Sequence, residues 1–232
     1  MEWHTILGSI VIVYFLLVLI FHKVFPEIHY QWDSIDTNNT QFPENFTWGV
    51  ATAAHQIEGG NNNNWTEFEV RENKELSGDA CDHWNRWASD HDLLTELGVD
   101  SYRFSIEWSR IEPQEGAWDE SAIRVYSAMI DSLIAKGIEP MITLHHFSHP
   151  AWFEEKGGFY RRENISYFTN YCAKIFPYFC DRVKKWCTVN EPDVFAIMGY
   201  HMGMFPPGKR SPFKAIRAVS YTHLRAHETK RN

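Results

Sequence analysis

The pattern of apolar and polar positions changes character twice along this chain. Ile6 to Phe21 (ILGSIVIVYFLLVLIF) runs sixteen residues without a charge, so a helix there is apolar on every side. About 20 such residues span the hydrocarbon core of a bilayer, and the run extends to that length through Thr5 and Val24-Phe25. A cleaved signal peptide needs a basic start and a small-residue exit. Here the start is MEWHT and the exit HKVFPE, so residues 1–25 read as an uncleaved, single-pass membrane anchor. Residues 26–41 are polar and aperiodic, as a linker is.

From Phe42 short apolar runs alternate with helical periodicity. Phe46–Thr52, Ser101–Trp108, Glu139–Phe147 and Lys185–Glu191 are predicted strands. Asp82–Gly98, Ser121–Gly137 and Ile165–Val183 are predicted helices, two of them stopped by glycine. In the first helix Trp84, Trp87, Leu93, Leu94 and Leu97 form the expected buried side. Strand–helix alternation predicts parallel strands joined by crossovers. No GxGxxG turn follows the first strand, which weakens a nucleotide-binding, doubly wound sheet. The tips of the four strands carry Gln56, Arg103, His146 and Asn190-Glu191 instead, and polar groups on one rim are the arrangement of a (β/α)8 barrel. The expected fold is therefore α/β: the amino-terminal half of a (β/α)8 TIM barrel over residues 42–219, preceded by a single transmembrane helix. A four-strand half leaves two unpaired edges.

Composition narrows the partners. Lys and Arg number 22 against 30 Asp and Glu, a formal charge of −8, and there is no basic stripe of the kind nucleic acid requires. The 10 Trp suit stacking on sugar rings as well as a core. Cys81, Cys172, Cys180 and Cys187 contain no CxxC pair, which argues for buried thiols over a zinc site or disulfide framework. Lys23 places the carboxyl flank of the anchor in the cytoplasm, whereas acceptor sequons at Asn38, Asn45, Asn64 and Asn164 point to a lumen. The side of the membrane stays open.

The segment Lys185–Pro192 (KWCTVNEP) is the sharpest chemical signal. It ends a buried strand on Glu191, where an apolar residue would be more comfortable, with the Asn190 amide beside it; a plain turn before proline is the competing reading. Gln56 reads as a turn cap or a ligand group, and Arg103 as a buried ion-pair partner or a site residue. His145, His146 and His149 resemble a metal cluster, but strand alternation sends His145 and His146 to opposite faces, leaving one site histidine and two structural ones. Glu107 and Glu112 read as helix-start or loop partners of Arg110. Asn61–Asn64 reads as a flexible loop without chemistry. Trp108, Phe147 and Trp152 line the site or fill the barrel.

FPENFTWGVATAAHQIEGG (residues 42–60), followed in order by DHWNRW, YRFSIEWSRIEP, TLHHFSHPAWF, GGF and WCTVNEP, resembles glycoside hydrolase family 1, the β-glucosidases and their relatives. The resemblance spans Phe42 to Val219. It implies that Glu191 is the general acid/base and that Asn190 holds the sugar 2-hydroxyl. It implies that Gln56 and His146 bind hydroxyls of the non-reducing sugar and that Arg103 stands beside the nucleophilic carboxylate. A retaining glycosidase needs two carboxyl groups about 5–5.5 Å apart whose environments separate their pKa values, so a guanidinium belongs with the nucleophile. The implied substrate is a β-glycoside, with no cofactor and no metal; oligomeric state is left open. The family's nucleophile lies in a Glu-Asn-Gly motif after strand seven, a motif missing from these residues, so the chain as written is expected to be inactive. Ser148 replaces an Asp frequent in the family, and Ser220–Asn232 departs from its pattern and reads as a non-native tail. Two rival functions are a transglycosidase of membrane glycolipids and a degenerate member that binds sugars or a protein.

Overall fold

A computed structural model describes residues 3–26, 31, 33, 36 and 41–228, in two compact units, Met1–Phe46 and Thr47–Asn232. The first unit holds helix α1 (Trp3–Val24), within which Ile6–Val24 is long and apolar enough to cross a membrane. Its apolar side chains are exposed, and His22 and Lys23 occupy the last turn, where cations complement the helix dipole. Most of the predicted linker lies outside the described residues, as does Asn38.

The second unit is built on four parallel strands in chain order: β1 (Gly49–Ala51), β2 (Ser101–Ser105), β3 (Glu139–His145) and β4 (Lys185–Val189). Arg103 stands level with Ala51 on one side and Met141 on the other. Among the described residues β1 and β4 each pair with a single neighbour. The sheet and its helices have the arrangement of part of a (β/α)8 barrel. All four strands stop short of their predicted ends. The apolar run continues past β2, but Glu107 accepts a hydrogen bond from the Ser109 amide and starts a helical turn at Trp108.

The helices follow as α2 (Ala54–Ile57), α3 (Asn64–Arg71), α4 (His83–Leu97), α5 (Trp108–Ile111), α6 (Glu120–Ala135), α7 (Ala151–Glu155), α8 (Ile165–Phe179), α9 (Pro192–Ala196) and α10 (Pro212–Glu228). Asp119 caps α6 through the Ser121 and Ala122 amides, and Gly98 closes α4 at φ 74°, a left-handed position where a side chain would be strained. Helix α8 ends before the predicted Val183; Pro177 removes a backbone donor from its last turn. Tyr126, Met129, Ile130 and Leu133 of α6 pack with Phe104, Ile142, Tyr171 and Ile175 in the core. Trp108 stacks on Tyr171 at 4.9 Å, fully buried, and is therefore a core residue.

Several expectations are corrected. The buried side of α4 is the stripe Trp84, Trp87, His91 and Leu94, stepping by three and four, while Leu93 and Leu97 are 59% and 64% exposed. Of the cysteines only Cys172 is buried, and Cys81 is exposed. Asn61–Asn64 is ordered chain: Asn63 caps α3 and is fully buried, and the Asn64 side chain bonds the Phe147 carbonyl and the His149 amide. Asn164 is likewise buried, donating to the Lys156 and Gly158 carbonyls. With their amides consumed inside the fold, Asn64 and Asn164 offer no glycan attachment point; Asn45 is exposed. Helix α10 continues through residues 220–228.

A buried polar network joins the loops above the strands. Arg110 donates through Nε to Glu58 at 2.8 Å and through Nη2 to the Gly59 carbonyl, with its guanidinium over the Trp84 ring. Tyr126 donates to Glu58 at 2.7 Å and accepts from the Glu107 amide. Glu107 accepts from the hydroxyls of Ser109 and Ser148. Glu112 accepts from the Trp108 indole and the Gly116 amide. Glu107 is the helix-start residue expected, but the partner of Arg110 is Glu58.

Burial pushes the Glu58 carboxyl up to about 7, with Glu107 adding to the rise and Arg110 opposing it. The folded chain therefore holds a proton there that the unfolded chain releases near 4.5. That contribution to stability is complete below the unfolded value and is lost as pH rises through about 7. Arg110→Met is expected to destabilise by about 3–5 kcal/mol at pH 8, where it strands a buried carboxylate, and by clearly less at pH 5. Denaturant unfolding at both pH values measures this. An equal loss at both would mean that Arg110 acts by packing on Trp84 alone.

Candidate active site at the strand tips

Glu191 follows β4 in a left-handed conformation (φ 41°) and serves as the N-cap position of α9, with Pro192 in the first turn. Proline's fixed φ suits that first position, while a glutamate at positive φ is an uncommon, strained residue. The strain turns its carboxyl outward: Glu191 is exposed, and its Oε2 accepts from Asn190 Nδ2 at 3.3 Å. Asn190 is buried and held from both ends, its backbone N–H donating to the His145 carbonyl and its side-chain Oδ1 accepting from Arg103 Nη1 at 2.7 Å. Arg103 thereby fixes the orientation of the Asn190 amide, oxygen toward the guanidinium and NH2 toward Glu191. Arg103 is the middle residue of β2, not its tip, and reaches the rim by the length of its side chain. Among the described residues it has no carboxylate partner.

His146 follows β3 at the same rim. Burial, and after it the Arg103 guanidinium, lower its pKa to about 4, so the ring is neutral. Its Nδ1 is buried without a hydrogen-bond partner among the described residues. The next residue, Phe147, sits at φ 69°, and its carbonyl accepts from Trp65 Nε1 at 3.0 Å and Asn64 Nδ2 at 3.1 Å. Those two donors, on α3, hold a bend that a bulky residue would otherwise leave.

His145 points elsewhere. Its Nε2 lies 3.2 Å from His149 Nδ1, and His149 Nε2 lies 2.8 Å from Glu154 Oε2. With the Glu154 carboxylate as acceptor, His149 carries its proton on Nε2 and His145 donates to His149 Nδ1. Burial and the neighbouring His149 hold the His145 pKa far below that of an ordinary histidine. Among the described residues no group of three or more His, Cys, Asp or Glu could hold a metal ion.

The structure thus joins Arg103, Asn190 and Glu191 by hydrogen bonds and sets His146 within the field of Arg103. Gln56 lies on α2 with an exposed side chain that bonds none of the other four. It is placed through its neighbours: His55 is buried between Asn63 and Glu69, and Glu58 is tied to Arg110 and Tyr126. Sequence reasoning missed the supporting group Glu58, Asn63, Asn64, Trp65 and Tyr126. Only the Asn63-x-x-Thr66 helix start, with Thr66 Oγ1 donating to Asn63 Oδ1, left a local signal for any of them.

The glycosyl hydrolase family 1 model matches residues 38–231. Beta-glucosidase A of Thermotoga maritima is 42% identical over 201 residues, covering 82% of this chain and 45% of that protein. Cytosolic beta-glucosidase of Homo sapiens is 39% identical over 180 residues, covering 72% and 38% respectively. Among solved structures, a beta-glycosidase from Pyrococcus horikoshii matches with a TM-score of 0.73 at 43% identity, over 80% of this chain and 46% of that one. The chain spans less than half the length of these relatives.

Because the lowered His146 value comes from burial and then from Arg103, its Cε1–H resonance is expected to stay unshifted from pH 8 down to about 5 and to titrate near 4. Arg103→Met should raise that midpoint while leaving it below 6.5, the ordinary value. A midpoint of 6.5 in the unmodified chain would contradict the placement of His146 beside Arg103.

Proposed function

This chain belongs to glycosyl hydrolase family 1, and from that premise we propose that it supplies the acid/base side of a retaining β-glycosidase acting on terminal β-linked sugars. Glu191 delivers a proton to the departing glycosidic oxygen. Asn190 offers its amide to the sugar 2-hydroxyl, a contact that strengthens as an oxocarbenium-like transition state forms. His146 and Gln56 take hydroxyls of the terminal sugar. Arg103 stands ready beside a second carboxylate, which attacks the anomeric carbon.

The observation that carries this reading is the Arg103–Asn190–Glu191 chain. A strained glutamate with its carboxyl exposed is a poor structural element. It makes sense as a group that must reach something. The guanidinium two hydrogen bonds away has, among the described residues, only a neutral partner, which leaves it free to hold a carboxylate ionised. Arg103 and Glu191 are thus suited to opposite protonation roles, as double displacement demands. The similarity to beta-glucosidases supports the substrate class.

Among the described residues no carboxyl is hydrogen-bonded to Arg103. The 232-residue chain alone is therefore expected not to turn over 4-nitrophenyl β-glucoside. Fused to the carboxyl-terminal half of the Thermotoga relative, it should become active. Glu191→Gln in that fusion should then cut hydrolysis of an unactivated glucoside by about 10²–10⁴-fold. Azide should restore turnover of the nitrophenyl substrate as β-glucosyl azide, since the covalent intermediate still forms. Undiminished hydrolysis by the Glu191→Gln fusion would remove the assignment.

Helix α1 is proposed as the anchor, on the ground that its apolar residues are exposed and uninterrupted over a membrane's thickness. Residues 26–41 would then tether the catalytic part. The chain should stay with membranes through alkaline carbonate washing, and removal of residues 1–25 should release it.

A further inference from the structure

A second cluster of charged side chains shares no residue with the strand tips. Tyr160, Arg161, Arg162 and Glu163, between α7 and α8, face Arg217 and Tyr221 of α10 across a cavity of about 310 Å³. Lys214, Arg217 and Tyr221 follow one another by three and four residues, so they share one side of α10. The Lys214 ammonium and the Arg161 guanidinium both lie over the Tyr160 ring, at 5.1 and 5.5 Å. Arg161 shares its charge with Glu163 at 3.5 Å. Arg162 and Arg217 have no carboxylate partner among the described residues.

Among the described residues named here, four cations against one carboxylate are a local inversion in a chain whose net charge is −8. Like charges held together by the backbone repel, and a bound anion reverses that cost. Guanidinium groups offer paired N–H donors that match the oxygens of a phosphate, and the Tyr160 and Tyr221 hydroxyls add neutral donors. We propose that this cavity binds a phosphomonoester, gripped by Arg162 and Arg217 within the field of Arg161 and Lys214. The inference is independent of the glycosidase reading. The same chemistry is presented by a soluble phosphate and by a lipid headgroup.

The full chain in neutral nanodiscs, titrated calorimetrically at low salt, tests both sources. One arm receives inorganic phosphate, the second glucose 6-phosphate, and in the third the nanodiscs contain phosphatidic acid. Saturable binding of one phosphate group per chain is expected in at least one arm, and the responding arm identifies the source. Arg162→Gln combined with Arg217→Gln should weaken it at least tenfold, while Arg86→Gln combined with Arg124→Gln should not. All four positions are exposed, so matched thermal melts verify the folding of both variants. Absence of saturable binding in all three arms, or equal weakening by both pairs, overturns the proposal.

Discussion

The arrangement of the strand tips depends on a carboxylate that has no business in a core. Glu58, almost wholly buried above β1, is tolerable only because Arg110 and Tyr126 both bond it. Tyr126 in turn holds the backbone of Glu107, and Glu107 holds Ser148. Loops following β1, β2 and β3 are thereby linked through one continuous set of buried polar groups. Such a network adds little net stability over an apolar cluster, because desolvation offsets the attraction. Its contribution is placement. Each donor and acceptor has a direction, and loops joined by directed bonds cannot slide past one another as apolar surfaces can.

Placement of that kind makes local strain sustainable. Phe147 and Glu191, both at positive φ, stand at neighbouring strand tips. Neither conformation is one its residue type adopts freely. At Phe147 the strain is held by two donors from α3, and α3 is itself fixed by the Asn63 cap and by the His149 amide on Asn64. At Glu191 it is held by Pro192 and by the Phe195 amide bonding back to the Glu191 carbonyl. Phe195 packs edge-on against His145 at 5.2 Å, so the start of α9 rests on the buried histidine pair. The apolar and polar interiors therefore converge on the same turn.

What the sequence made legible was whatever depends on near neighbours. Strand–helix alternation, the glycine stop at Gly98, the helix start at Glu107 and the opposed directions of His145 and His146 all follow from spacing of a few residues. What escaped depends on distant ones. Asn64 bonds a carbonyl 83 residues away, Tyr126 a carboxylate 68 away, and Arg110 a carboxylate 52 away. A run of four asparagines carries no sign of such partners and reads as a loop. Leu93 and Leu97 misled for the opposite reason: leucine at roughly helical spacing suggests a buried face, yet His91 occupies it. The sequons at Asn64 and Asn164 failed on burial, which no tripeptide records.

The electrostatic character of the rim follows from a single cation. Arg103 is half-buried, and among the described residues its side chain bonds only the neutral Asn190. Its field adds to the burial of His146 and keeps that ring uncharged, so the histidine offers one donor and one acceptor rather than two donors. Asn190 is similarly fixed, its oxygen committed and its NH2 directed toward Glu191. A rim that sets the neutral donors and acceptors of Asn190 and His146 beside one cation and the Glu191 carboxyl suits, on the reading proposed above, a neutral, hydroxyl-rich ligand, whose many O–H groups both give and accept hydrogen bonds. It suits an anionic ligand less, because a single guanidinium must then serve the ligand and any carboxylate beside it. The anion-favouring chemistry of this chain lies instead around Arg162 and Arg217, where the cations are several and their counter-charges few. Under the two proposals, these differently charged surfaces would discriminate between ligands by the number of cations that lack a carboxylate partner among the described residues.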